Sequence, residues 1–420
     1  MKVYLTKTSH YILILGVTLL LSVLFQIYWT NIAVFDGVLY VKGGGLQRFL
    51  LKIVALFLIF VSLYKFFSVK ALLYNFALKI PLIYYILTVI VVFPFTYTNA
   101  YIQSVNLVLF IPVLCLDFSG KRGEEIFTKL VKIIVWVVCL QLAVDLFLKA
   151  FGLNLVFTVL GGMGNANTFG LHLIVAGLGL RFIYKQHLLS NIILLFTLST
   201  GSFACVVVGF ALVFQSLIIN LWRNSIGVVF LISGIYTLVF FGWSVMREGK
   251  YGAVYHAYMK IEGFIEFLFY GGSIESAGGS FVGRGEYTMR GLNLLNDNPL
   301  SIVFGHPNFM PFYSGDGFYI ALAVTLGIPM MALFTISNLY TIFRGLRENT
   351  ALSNFAAYTL IVFGVFFTSN RILDYWPSGF VYALAISYLL RNKIPDIINF
   401  NRQRIKNPFG QFRGSVLHDK

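Results

Sequence analysis

Apolar stretches follow one another along this chain from Tyr11 to Leu390, and about twelve of them approach the length of a bilayer crossing. A transmembrane helix needs about 20 largely apolar residues. The pattern predicts spans near 11–29, 49–67, 80–97, 101–118, 126–148, 168–184, 188–200, 202–219 and 226–243. After residue 316 it predicts spans near 317–343, 354–370 and 376–391. The stretch 188–200 is short, and Pro94 interrupts 80–97. One long polar segment, 244–316, breaks the series. The expected fold is all-α: a polytopic integral membrane protein of about twelve transmembrane helices with one large external loop. A β-barrel would instead show short alternating segments. The expected organisation is an N-terminal bundle of about nine helices (1–243), the loop (244–316), the C-terminal helices (317–391) and a basic tail (392–420).

Composition agrees. Hydrophobic residues make up 58% of the 420 and charged residues 11%, against about 25% charged in ordinary soluble domains. The formal net charge is +15. In a soluble protein that would raise nucleic acid as a partner. Here the basic residues sit in short loops and in the tail, so no nucleic-acid partner is expected. The positive-inside bias orients the chain instead. With the N-terminus in the cytoplasm, the inner loops hold Lys65, Lys70 and Lys79, then Lys121, Arg122 and Lys129, then Arg181, Lys185 and Arg223, then Arg344 and Arg347. The outer connections are poorer in Lys and Arg, apart from Lys42 and Arg48. Both termini are then cytoplasmic and the long loop external. Its five basic residues against seven acidic ones fit that side. The tail (Lys393, Arg402, Arg404, Lys406, Arg413 and Lys420 against Asp396 and Asp419) suits an anionic leaflet. Cys115, Cys139 and Cys205 lie in apolar segments without metal-ligand spacing, so neither a metal, a cofactor nor a disulfide framework is expected. The first apolar stretch lacks a small-residue cleavage site and reads as a retained span.

Three stretches share the external face in this arrangement. Gly161-Gly162-Met163-Gly164-Asn165-Ala166-Asn167 precedes a span; glycine lets backbone N–H groups approach an anion or a sugar, or simply makes a turn. Ser199-Thr200-Gly201-Ser202 offers hydroxyls that either bond a glycan or cap a helix. The loop opens with an aromatic, amphipathic stretch, 251–270, suited to lie on the outer leaflet. A helix is expected from 281 to 296, ended by Asn298-Pro299. Arg284 and Arg290 are six residues apart, about 600° of helical rotation, so they aim at one phosphate only if the helix starts between them. Gly305-His306-Pro307-Asn308 reads as a turn whose His306 is either a base near neutral pH or a structural residue. Asp316, between Gly315 and Gly317 at the mouth of a span, is either a helix N-cap or a general base. Arg371 and Asp374 follow the eleventh span and either pair locally or let Arg371 reach the site.

The order of these features resembles the bacterial O-antigen polymerase and ligase superfamily: a glycine/amide turn, a Ser/Thr turn between short spans, a large external loop with arginines, and then Asp316-Gly317-Phe318-Tyr319-Ile320-Ala321-Leu322-Ala323-Val324-Thr325-Leu326-Gly327-Ile328-Pro329. The resemblance covers the span layout of almost the whole chain. It implies a metal-independent glycosyltransferase of the bacterial inner membrane, acting on undecaprenyl-diphosphate-linked glycans as donor and acceptor, with a possible chain-length regulator as partner. Carried over by position, Asp316, His306 and Arg284 look catalytic, and Arg290, Arg371, Asn165 and Asn167 look substrate-binding. Asp316 stands where a ligase has His, which favours the polymerase. The superfamily's Ser-Arg turn reads Thr200-Gly201 here, and its final glycine after Gly-Ile reads Pro329. A ligase and a transporter or flippase of lipid-linked sugars remain the competing classes. The few charges within spans (Lys132, Asp145, Lys149, His172) speak against a transport path.

Overall fold

The computed structural model describes residues 7–21, 32–35, 38–41, 45–92, 110–151, 166–200, 202–215, 233, 289–306, 317–368, 370, 372–374 and 376–391. Its helices are α1 (Lys7–Leu21), α2 (Gly45–Leu63), α3 (Val69–Leu73), α4 (Phe76–Val92), α5 (Phe110–Leu114), α6 (Gly120–Ala150), α7 (Ala166–Phe182), α8 (His187–Leu195), α9 (Phe203–Val213), α10 (289–296), α11 (Pro299–Phe304), α12 (Phe318–Leu326), α13 (Ile328–Glu348), α14 (Ala351–Phe367) and α15 (Trp376–Leu389). A 3-10 turn, Phe196–Thr200, extends α8. The helical class expected from the sequence is what the structure shows. One antiparallel hairpin is the exception: β1 (Ile32–Phe35) pairs with β2 (Val38–Val41), Ile32 opposite Val41 and Phe35 opposite Val38. Asp36-Gly37 between them is the sequence signature of such a connection, and the periodicity argument had passed over it.

Among the described residues one helix, Gly120–Phe147 within α6, is long and apolar enough to cross a membrane by length and composition. Shorter apolar helices cover parts of most other expected spans, including Lys7–Leu21, Phe76–Thr88, His187–Thr200 and Ala351–Phe367. The span expected near 226–243 lies outside the described residues except at position 233.

α7 forms the centre. It is buried almost throughout and packs on α6, α8, α9 and α14. A β-carbon at Gly177 would come within 2.8 Å of Leu194, and one at Gly179 within 2.4 Å of Val135. Small residues at such points let the helices approach closely. Aromatic rings continue the core: Tyr85, Phe334 and Phe367 lie 5.2, 5.3 and 4.7 Å from Phe318, and Tyr382 lies 5.5 Å from Phe367.

The span expected as one helix over 317–343 is two. Gly327, at φ 87° and ψ 162°, ends α12 and starts α13. Phe318 lies nine residues before it and Phe334 seven after, about 13 and 10 Å of helix. Their rings are nevertheless 5.3 Å apart, so the two arms fold back at an acute angle. A straight or gently kinked span would separate them by about 20 Å.

The polar contacts divide by end. At one end Arg391 bonds Glu348 and lies 3.6 Å from Glu124, stacked 3.8 Å over the Tyr388 ring. Asn75 Nδ2 donates to Leu390 O at 2.8 Å nearby. Arg181 donates to Asn191 and to Leu212 O, tying the end of α7 to the middle of α8 and the end of α9. These sites border the loops expected inside. At the opposite end the starts of α7, α9 and α12 meet the residues that follow α14.

Candidate functional site

The opposite end is built from helix termini. Asn167 stands in the first turn of α7, half-buried, and both ends of its amide are engaged. Its Nδ2 donates to Asn370 Oδ1 at 3.1 Å, and its Oδ1 accepts from the Ser202 hydroxyl. Its backbone carbonyl accepts from Cys205 Sγ at 3.7 Å. Ser202 occupies the N-cap position of α9 but makes no side-chain cap. Its hydroxyl goes to Asn167 instead, so helix capping, one of the two expectations for this turn, does not account for it. Thr200 organises the turn: its hydroxyl donates to Thr197 O at 2.7 Å and accepts from the Ser202 N–H at 3.3 Å.

Asn370 reaches the cluster because α14 ends there. Its N–H bonds Phe366 O at 2.8 Å, while Thr368 N–H bonds Val365 O at 3.3 Å. Gly317 packs on the same turn, and a β-carbon on it would meet Thr368 O at 2.9 Å. The start of α12 is therefore brought against the segment that carries Asn370. Deeper along α7, His172 is fully buried, and its Nδ1 donates to Thr168 O at 2.7 Å.

Three of the residues singled out in the sequence fall in described parts. Asn167 is at the centre of the cluster. His306 is not in it: its N–H bonds Val324 O at 2.8 Å, which sets it about 10 Å along α12 from Gly317. Arg290 is exposed on α10, and residues 281–288, where that helix was expected to start, lie outside the described residues. Asp316, Arg284, Arg371 and Asn165 lie outside the described residues. The sequence reading had grouped the glycine/amide turn with the Ser/Thr turn, and the Asn167–Ser202 bond joins them. Asn370 was missed, although the polar Thr368-Ser369-Asn370 cluster at the end of an apolar span was an available signal.

Chemically the described cluster is amide and hydroxyl: donors and acceptors fixed by one another, of the kind that bond sugar hydroxyls. Among the described residues no group of three His, Cys, Asp or Glu side chains converges. Compared with known proteins, the chain matches no family model and no curated sequence.

Proposed function

We propose that this chain is a polytopic inner-membrane protein of about twelve spans that polymerises undecaprenyl-diphosphate-linked oligosaccharide repeat units into surface polysaccharide. The observation that carries the reading is the Asn167–Ser202–Asn370 cluster, with Gly317 beside it. It joins four regions far apart in the chain, and each borders a segment singled out for external chemistry. The gathering of Glu124, Glu348, Arg391 and Arg181 at the other end supports the alternation of inner and outer connections.

The diphosphate of the donor is already an activated leaving group, so the protein must position and neutralise more than it must react. In this reading Arg284, Arg290 and Arg371 hold the diphosphate. Asp316, next to Gly317, takes the proton of the acceptor hydroxyl as that oxygen attacks the anomeric carbon. The carbon–oxygen bond to the diphosphate breaks in the same step, and configuration inverts. Asn165, Asn167 and the Asn370 amide bond sugar hydroxyls and fix the acceptor. His306, set back along α12, serves the outer part of the site.

The test is the lipid-linked glycan profile of cells lacking the gene and complemented with variants. Loss of the gene should leave single repeat units, and Asp316→Ala or Arg284→Ala should fail to restore long chains at normal membrane levels of protein. Arg284→Lys should also fail, because a lysine cannot grip phosphate through two parallel hydrogen bonds. Long chains of normal length in the deletion strain, left unattached, would point to a ligase and overturn the reading.

A further inference from the structure

We infer that α11 is a membrane-inserted element of the long loop, whose apolar face is covered by lipid of the outer leaflet. This rests on the membrane reading above. α11 is clasped to the turn between α12 and α13 through close backbone approaches. A β-carbon at Gly305 would stand 2.2 Å from Thr325 O, and one at Gly327 would stand 2.0 Å from Val303 O. The His306 N–H bonds Val324 O at 2.8 Å, and Ser301 is wholly buried against this seam. A polar residue thus faces the protein and apolar ones face away. Leu300 is 63% exposed, Val303 45% and Phe304 73%.

The outward face of α13 identifies the cover. α13 has 21 residues, about 31 Å including its charged end at Arg344, Arg347 and Glu348, and in the membrane reading its apolar part lies in the hydrocarbon core. Leu333, Ile336, Tyr340 and Phe343 are exposed along it at helical spacing, and Arg344 and Arg347 follow at its inner end. In the membrane reading that stripe meets lipid, and Gly327 at its top marks the outer boundary. α11 is clasped to Gly327, so its apolar residues continue the stripe at the level where acyl chains meet headgroups. An apolar face held at that level buries into the boundary between headgroups and acyl chains.

The experiment is spin-label power saturation on the full chain in liposomes of phosphatidylcholine and phosphatidylglycerol. Cys115, Cys139 and Cys205 are replaced by alanine, and single labels are placed by Phe304→Cys, Leu300→Cys and, as control, Ile336→Cys. The expected result is access to oxygen and loss of access to a water-soluble nickel complex at all three positions. Lipid access at 336 with nickel access at 304 and 300 would overturn the inference and leave the membrane reading standing. Lipid access at 336 with neither reagent reaching 304 and 300 would mean a protein cover, such as a second copy, and would also overturn it. Nickel access at 336 would overturn the membrane reading itself.

Discussion

Replacing Gly327 by alanine tests the back-folded geometry of α12 and α13. The residue sits at φ 87° and ψ 162°, a region open almost only to glycine, and forcing another residue there costs about 1–3 kcal/mol. The new methyl would lie 2.0 Å from Val303 O and 2.4 Å from Val303 C. Those are backbone atoms that cannot rotate away, so α11 must withdraw by over about 1 Å to restore normal contact. That withdrawal breaks the His306 N–H bond to Val324 O, worth about 1 kcal/mol. Together the change destabilises the clasp by about 3 kcal/mol, enough for roughly hundredfold faster amide exchange in that segment. Gly364→Ala is the internal control. Gly364 lies within α14, and a β-carbon there meets only Tyr319 Oη, at 3.9 Å. Removing a helical glycine without a clash should stabilise by about 0.5–1 kcal/mol. Hydrogen exchange read by mass spectrometry over peptides 299–306 and 318–330 is the assay. Equal protection in wild type, Gly327→Ala and Gly364→Ala would refute the geometry.

Asn167→Asp replaces the donor to Asn370 with a second acceptor, whereas Asn370→Asp keeps an oxygen facing Asn167 Nδ2. Long-chain glycan should therefore fall at least about tenfold in the first and less in the second, a ratio tied to the loss of a hydrogen bond in the site; equal losses on a glycan gel would reject the amide pair as a positioning element. Arg391→Ala leaves Glu348 without its buried partner, so it should cost about 3–5 kcal/mol, read as a lower thermal midpoint in detergent; an unchanged midpoint would contradict the anchoring role.

Periodicity and turn residues made the helices legible. Apolar runs marked most of them to within a few residues, because a helix satisfies the backbone of such a run within itself. Asn298-Pro299 was legible as a helix stop, yet the same pair opens α11: Asn298 accepts from Leu300 N and Pro299 takes the first position. Gly327-Ile328-Pro329 was visible as a motif, but a sequence does not say how sharply a glycine turns. The packing of Phe318 on Phe334 sets that angle. The site followed the same division. Asn167 was legible as a polar residue at the start of a span, while its partnership with Asn370 joins positions 203 apart.

The order and helical nature of the segments, and the side on which basic loops cluster, belong to the sequence, since both follow from local hydrophobicity and charge. Which helix faces touch belongs to the tertiary structure. Helices that are apolar around their whole circumference carry no stripe that names a partner face. Close approach at Gly177 and Gly179, bonds such as Asn167–Ser202 and Arg391–Glu348, and the backbone seam between Gly305 and Gly327 decide it instead. Each of these depends on two parts of the chain meeting, and therefore exists only once the bundle has formed.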